Sequence, residues 1–228
     1  MSRTALASLV VGAATLIPSA RATVFVGFED LPGLTDRTGT ASLADANGGS
    51  STIAGVTWDS RLRVTGDLHR LSGDPSNPLS SIPHGGSFFI TNEAYPDAGD
   101  AITLQTGLVL TGAWFSQVEY YGFGHGEMTL TIQALGVGGV LGSGSVTLPA
   151  NATPAPQPMV YLDTTPFTGL VGITGYRILQ DPLDPGSRYW SADDFSFQVA
   201  AVPEPHSVGI AAVSLATVAA MARRRIRP

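Results

Sequence analysis

Short segments in which apolar and polar residues alternate run through the middle of this chain. The clearest is residues 127–135, where an apolar side chain stands at every second position, and residues 56–64 and 24–31 follow the same period. Residues 87–92 are almost continuously apolar, which indicates a strand covered on both faces. Turn-forming residues separate these segments, and no long 3.6-residue period appears between the two ends. The pattern therefore predicts about ten short strands.

A chain of short strands with long loops between them is typical of an all-β protein. The loops expected here are residues 35–51, rich in Gly, Ser, Asp and Thr, and residues 66–86, an irregular stretch in which His84 has no assignable partner. We predict an all-β fold, a two-sheet antiparallel jelly-roll β-sandwich, over residues 23–199.

The N-terminal residues have the order of a secretory signal peptide. Arg3 gives a positive start, residues 5–17 are apolar, and Ala20-Arg21-Ala22 is an A-x-A cleavage site. We expect a helical signal peptide over residues 1–22 that is removed on export.

The C-terminal residues have a second targeting pattern. A linker over residues 200–206 contains Pro203-Glu204-Pro205, an uncharged apolar run follows over residues 207–221, and Arg223, Arg224 and Arg225 come next. A helix of these 15 residues spans about 22 Å, short for a permanent membrane anchor. The order resembles the PEP-CTERM sorting tail of Gram-negative exported proteins. The resemblance implies a helical membrane segment within residues 207–228, processing near Pro203, Glu204 and Pro205, and an exosortase-type enzyme as partner. An ordinary C-terminal anchor is the alternative.

Charge and composition narrow the possible partners. Between residues 23 and 202 six arginines and no lysine stand against seventeen acidic residues, a net charge of −11. Such a surface repels nucleic acid and anionic lipid and favours divalent cations, so nucleic-acid binding is disfavoured. The chain has no cysteine, so disulfides and thiolate metal sites are excluded.

Acidic residues near the two ends of the predicted domain form the candidate metal site. If the first and last strands pair antiparallel with Phe28 opposite Phe195, Asp30 lies opposite Asp193 on the core face, with Glu29 and Asp194 beside them. Facing carboxylates destabilise a strand pair unless a cation lies between them. Carboxylate oxygens suit Ca²⁺, so we predict a structural Ca²⁺ held by Glu29, Asp30, Asp193 and Asp194. Solvated strand-end acids are the alternative.

The same two strands carry a limited resemblance to a known class of domain. The Phe-Glu-Asp-Leu opening at residues 28–31 and the Asp-Asp-Phe of residues 193–195 resemble jelly rolls of the carbohydrate-binding-module type, with a calcium near the terminal strands. A sugar ligand would need exposed aromatic rings, and Tyr189 and Trp190 are the candidates, with burial in the core as the alternative. Trp58 and Trp114 lie at positions of their predicted strands that alternation assigns to the core.

No arrangement of residues points to a reaction. Gly-x-Ser-x-Gly is absent, and the His-x-Glu of His125 and Glu127 lies among glycines that favour a hairpin turn. We therefore expect a non-enzymatic, exported protein of the cell envelope, cell surface or extracellular matrix. It would meet the membrane through its C-terminal segment and surface polysaccharide through its domain. A carbohydrate-binding module is the first alternative, and a polysaccharide hydrolase is the second.

Overall fold

The computed structural model describes residues 21–70, 79, 81–92, 101–118, 126–150, 155–182 and 189–200. Of residue 182 it describes the backbone only. The signal peptide up to residue 20 and the sorting motif and apolar run after residue 200 lie outside these ranges. None of the helices within them is long and apolar enough to cross a membrane.

Antiparallel strands make up most of the described chain. In chain order they are β1 (Thr23–Val26), β2 (Thr40–Ser42), β3 (Thr52–Ile53), β4 (Val56–Trp58), β5 (Arg63–Gly66), β6 (Phe88–Thr91), β7 (Ile102–Gln105), β8 (Val109–Gln117), β9 (Met128–Gly136), β10 (Gly139–Leu148), β11 (Val160–Asp163), β12 (Ile173–Pro182) and β13 (Trp190–Gln198). A short helix α1 (Leu43–Ala46) follows β2, and a 3-10 helix (Thr165–Gly169) precedes β12.

Within the described residues the strands form two sheets. The seven-stranded sheet has the order β11-β8-β13-β6-β5-β2, with β1 also paired to β13, and the six-stranded sheet has the order β10-β9-β12-β7-β4-β3. The prediction of an all-β fold made of two antiparallel sheets is confirmed. The expected loop over residues 35–51 is wrong in part, because it contains β2 and α1. Ser42 accepts the N–H of Asp45 at 3.1 Å and so caps that helix.

The core lies between the sheets and is built from the alternating positions of the long strands. On β9 the apolar residues Met128, Leu130, Ile132 and Ala134 are fully buried while their neighbours are partly exposed. Aromatic rings from several strands meet edge to face, as Trp58 and Phe195 do at a centroid separation of 4.9 Å. The predicted core position of Trp58 is confirmed.

The first and last strands pair antiparallel, as predicted, but in another register. Val24 lies opposite Phe197 and Val26 opposite Phe195, two residues away from the expected pairing. The prediction that Asp30 faces Asp193 is therefore wrong. Alternation decides which face a residue occupies, but a shift of two residues leaves the faces unchanged, so the pattern alone does not fix the register.

Candidate functional site

A loop crosses the outer face of the seven-stranded sheet. Residues Ser81–Ser87, here called the strap, connect to β6 and pass over β8 and β13. At the start of the strap the Ser81 hydroxyl oxygen lies 2.9 Å from that of Ser116 and 2.7 Å from that of Ser191. All three serines are buried, so the strap seals this part of the sheet from solvent.

Two carboxylates hold the rest of the strap through its backbone. Glu29 Oε1 accepts the N–H groups of Ser87 and Phe88, each at 2.8 Å, and Asp193 Oδ2 accepts the N–H of Gly85 at 3.1 Å. Gly86 has φ +65°, and a side chain there would overlap the Glu29 carboxyl group, so the strap needs glycine at this position. Carboxylates that accept backbone N–H groups make strong hydrogen bonds.

A β-bulge in β13 explains where the acidic residues lie. Asp193 pairs with Trp114 and Ser196 with Gly112, so β13 has one residue more than β8 over this stretch, and Asp194 has φ +48°. Because of the extra residue, the residues of β13 that precede it face the side of the sheet opposite to the one that alternation predicts. Asp193 consequently lies on the outer face under the strap, and its predicted position on the core face is wrong.

The carboxyl group of Asp193 is almost completely removed from water. Its side chain is 1% exposed, and it also accepts the N–H of Asp194 at 2.8 Å through Oδ1. Burial raises the pKa of Asp193 to about 7, with the neighbouring charges of Asp194 and Glu29 adding to the rise and the backbone hydrogen bonds opposing it. Near neutral pH this carboxyl group is therefore present in both its protonated and its ionised form, whereas an ordinary aspartate is ionised.

Beside the strap three rings form an exposed group, here called the ring patch. His84 stacks on Trp114 with centroids 3.7 Å apart and planes 12° apart, and Trp114 contacts Tyr161 at 5.1 Å. His84 Nδ1 and Asp194 Oδ2 lie 2.7 Å apart and share a hydrogen bond. Tyr161 is 41% exposed, so the patch offers aromatic surface to solvent.

The ring patch differs from what the sequence led us to expect. Trp114 was predicted in the core but lies half-buried on the outer face, because Thr111 is an extra residue of β8 relative to β13. The strap brings His84 to this ring from thirty residues earlier in the chain. Alternation within one strand contains no signal for such a contact, although the Gly85-Gly86 pair marks a place where backbone approaches closely.

The predicted sugar-stacking residues do not lie on the surface. Tyr189 is 8% exposed and Trp190 is fully buried, with its indole N–H donating to Gln180 Oε1 at 3.3 Å. The reversed parity before the bulge turns Trp190 into the core and explains the error. The prediction of Tyr189 and Trp190 as exposed ligand-binding rings is therefore wrong.

Three of the four predicted metal ligands meet around the strap. Glu29, Asp193 and Asp194 all hydrogen-bond to it, whereas Asp30 is exposed beyond the end of β1. In the described part of the chain no group of three or more acidic or histidine side chains is placed to hold a metal ion. The calcium site therefore stays a prediction, without Asp30 as the partner of Asp193.

Comparison with known proteins gives little further information. No protein-family model matches the chain, and no curated protein matches it. One similar solved structure is a DUF4465 family protein from Bacteroides caccae, 14% identical, with a TM-score of 0.42 over 60% of this chain and 72% of that one. Another is the K2 cleaved adhesin domain of Lys-gingipain, 15% identical, with a TM-score of 0.36 over 77% and 97%. Likenesses of this size carry no argument about function.

Proposed function

We propose that this chain is exported and acts, without catalysis, as a β-sandwich of the Gram-negative cell surface or extracellular matrix. The observation that carries the proposal is the meeting of the two ends of the domain. The N–H of Val199 donates to the carbonyl oxygen of Ala22 at 3.2 Å. The predicted signal peptide and the predicted sorting tail are therefore attached at the same end of the sandwich, which leaves its faces and its other end free for contacts outside the cell.

The sequence pattern of the C-terminal tail supports the proposed sorting of the protein to the cell surface. Export would remove residues 1–22, and residues 207–221 would hold the protein in the membrane until an exosortase-type enzyme acts near Pro203, Glu204 and Pro205. We also propose that the strands of the two sheets are connected as in a jelly roll. The domain would then remain at the surface, where its partner is polysaccharide of the matrix.

Cell fractionation tests this proposal. The full chain is expressed in a Gram-negative bacterium that processes PEP-CTERM tails, beside a variant with Pro203, Glu204 and Pro205 changed to Ala. The matched control changes Pro154, Pro156 and Pro158 to Ala in the other proline-rich segment. We expect the wild type and the control at the surface or in the medium, and the first variant unprocessed in the membrane. Wild-type protein retained in the cytoplasm would refute export.

A second function, glycan binding, is favoured by the ring patch. Sugars present apolar C–H faces that stack on aromatic rings and hydroxyl groups that donate to carboxylates. Tyr161 and Trp114 supply rings, and Asp194 supplies a carboxylate beside them. The net charge of −11 disfavours anionic polymers, so the expected ligand is a neutral polysaccharide.

Retention on immobilised neutral polysaccharides tests this second function. Tyr161→Ala should abolish retention, whereas Tyr161→Phe should preserve it, because the ring and not the hydroxyl group makes the stacking contact. Equal retention of all three proteins would exclude this patch as the binding surface.

The calcium prediction has a separate test. Thermal unfolding of the mature protein is measured with EDTA and with millimolar Ca²⁺, for the wild type and for Asp193→Asn. A rise in Tm with Ca²⁺ that the variant lacks would establish a site specific to the folded state. Identical melting curves would leave Glu29, Asp193 and Asp194 as the residues that fasten the strap.

A further inference from the structure

Five segments meet at the end of the sandwich from which the chain leaves, here called the exit end. Val109 pairs with Gln198, Thr106 donates to Thr174 and Gly55, and Gly136 pairs with Ile173. These contacts bring the following segments together: 54–55, 106–108, 137–138, 164–172 and 199–200. A cavity of about 390 Å³ opens between residue 107, residues 168–172 and residue 200, beside Arg21, Val109 and Ile173.

The exit end carries few charges in a strongly acidic domain. None of its five segments contains Asp, Glu, Lys or Arg, although residues 23–202 carry a net charge of −11. The exposed Asp163 lies next to it and accepts the N–H of Thr165 at 2.8 Å. The opposite end of the six-stranded sheet carries the exposed acids Glu127 and Asp181. Of these two ends, the exit end meets the weaker repulsion from an anionic lipid surface.

Apolar side chains project from the exit end. Val137, at the turn between β9 and β10, is 100% exposed, and Val171, before β12, is 89% exposed. They lie close together, because Gly136 and Gly172 are in direct contact range. Val199 and, on β10, Val140 and Leu141 add further exposed apolar surface nearby. Isolated valines need no explanation, but several on one end with few charges form a patch that suits an apolar partner.

The chain itself indicates the partner. Six residues separate Ala200 from the apolar run that begins at Ser207, and a fully extended connection spans at most about 25 Å. The nine residues of β9 alone extend about 30 Å. A membrane segment on so short a connection keeps the exit end near the bilayer and raises its effective concentration there.

We propose that the exit end rests on the lipid bilayer while residues 207–221 are in it, with Val137 and Val171 entering the interface. This inference rests on the proposed membrane segment. Arg21 is not part of the contact, because its hydrogen bond to Thr168 is lost when the signal peptide is removed. The domain therefore stands on the membrane by one defined end, with the ring patch and the strap directed along its side.

Site-specific fluorescence in vesicles tests this orientation. Because the chain has no cysteine, Val137→Cys, Val171→Cys and Glu127→Cys each give one labelling position, the last being the control at the other end of β9. Each variant, comprising residues 23–228, carries an environment-sensitive nitrobenzoxadiazole probe in vesicles of phosphatidylethanolamine and phosphatidylglycerol. We expect a blue shift, and loss of emission with nitroxide-labelled lipids, at positions 137 and 171 but not at 127.

Flotation of the same vesicles separates the two proposals. Protein that floats while the probes at 137 and 171 remain as aqueous as the probe at 127 overturns the exit-end contact and leaves the membrane segment intact. Protein that fails to float overturns the membrane segment, and the contact with it. Equal blue shifts at all three positions would show lipid contact without a preferred end and would also overturn the inference.

Discussion

Two aspartates of this domain whose side chains are largely removed from water have opposite protonation behaviour. Asp59 follows β4 and accepts hydrogen bonds from Arg61 Nε at 2.9 Å, from Arg61 Nη2 at 2.7 Å and from the N–H of Thr103 at 3.0 Å. Burial raises its pKa, but the hydrogen bonds from Arg61 and Thr103 and the charge of Arg61 outweigh burial and bring the pKa to about 2. Asp193 has backbone N–H donors and two acidic neighbours, and its pKa rises to about 7.

The comparison teaches that burial alone does not decide the state of a carboxyl group. An adjacent cation keeps Asp59 ionised despite its burial, whereas burial without a cation, together with the charges of Asp194 and Glu29, favours the neutral form of Asp193. The two residues therefore respond to pH in opposite directions. Asp59 stabilises the fold above about pH 4, and this contribution is lost as the pH falls towards 2. Asp193 keeps a proton that the unfolded chain releases, so its contribution falls as the pH rises from about 4 to 7.

Removing Asp59 should have the largest effect. Asp59→Ala leaves the partly buried Arg61 guanidinium without its carboxylate, and we expect the free energy of unfolding at pH 7 to fall by about 3 kcal/mol. Denaturant titration measures this loss. The control is Asp67→Ala at the more exposed Arg37–Asp67 pair, where solvent screening should make the loss much smaller. Equal losses in the two variants would show that burial does not make the Arg61–Asp59 ion pair contribute more to stability than the exposed pair does.

Neutralising Asp193 should favour the folded state more at high pH than at low pH. Asp193→Asn removes the cost of a buried charge but offers one carbonyl oxygen where Asp193 offers two, so only one of the N–H groups of Gly85 and Asp194 keeps its acceptor. We therefore expect the unfolding free energy of the variant, relative to the wild type, to be about 2 kcal/mol higher at pH 8 than at pH 4. Denaturant titrations at the two pH values measure it. A change of the same size at both pH values would show that the effect is not a proton effect.

Loosening the strap should lower the pKa of Asp193 and so make its protonation more like that of Asp59. Gly86→Ala forces the Glu29 carboxyl group away and lets water reach Asp193, so the pH dependence of stability between pH 4 and 7 should shrink, with a loss of about 1 to 2 kcal/mol at pH 5. Gly49→Ala is the control, since Gly49 also has positive φ but nothing nearby to overlap. An unchanged pH dependence in Gly86→Ala would mean that the strap does not keep Asp193 dry.

Changing His84 should have the smallest effect on stability. Its side chain is 39% exposed, so His84→Ala should cost less than about 1 kcal/mol. The variant should nevertheless uncover Trp114, the one half-buried tryptophan beside the buried Trp58 and Trp190. Acrylamide quenching of tryptophan fluorescence should therefore increase. Unaltered quenching would argue against the stacked contact.

The sequence predicts the architecture well and the site poorly, for one shared reason. Alternation is a local signal, and it correctly indicates an all-β chain and most of its strands, although β2 lies in a predicted loop. The pairing of β1 with β13 is expected from the general habit of sandwich folds and not from alternation. The bulge at Asp193 and Asp194 interrupts alternation without any change in composition, and it moves Trp190 into the core and Asp193 out of it. The strap is a long-range contact, so the partners of His84 and Glu29 cannot be read from neighbouring residues.

The position of β13 has a mechanical consequence. This strand leads directly to the tail, and it hydrogen-bonds to β8 on one side and to β6 and β1 on the other. A pull on the tail therefore acts along an interior strand and loads several rows of hydrogen bonds in shear at the same time. A domain fastened in this way resists being torn from its tether, because it cannot be peeled open one bond at a time from an edge.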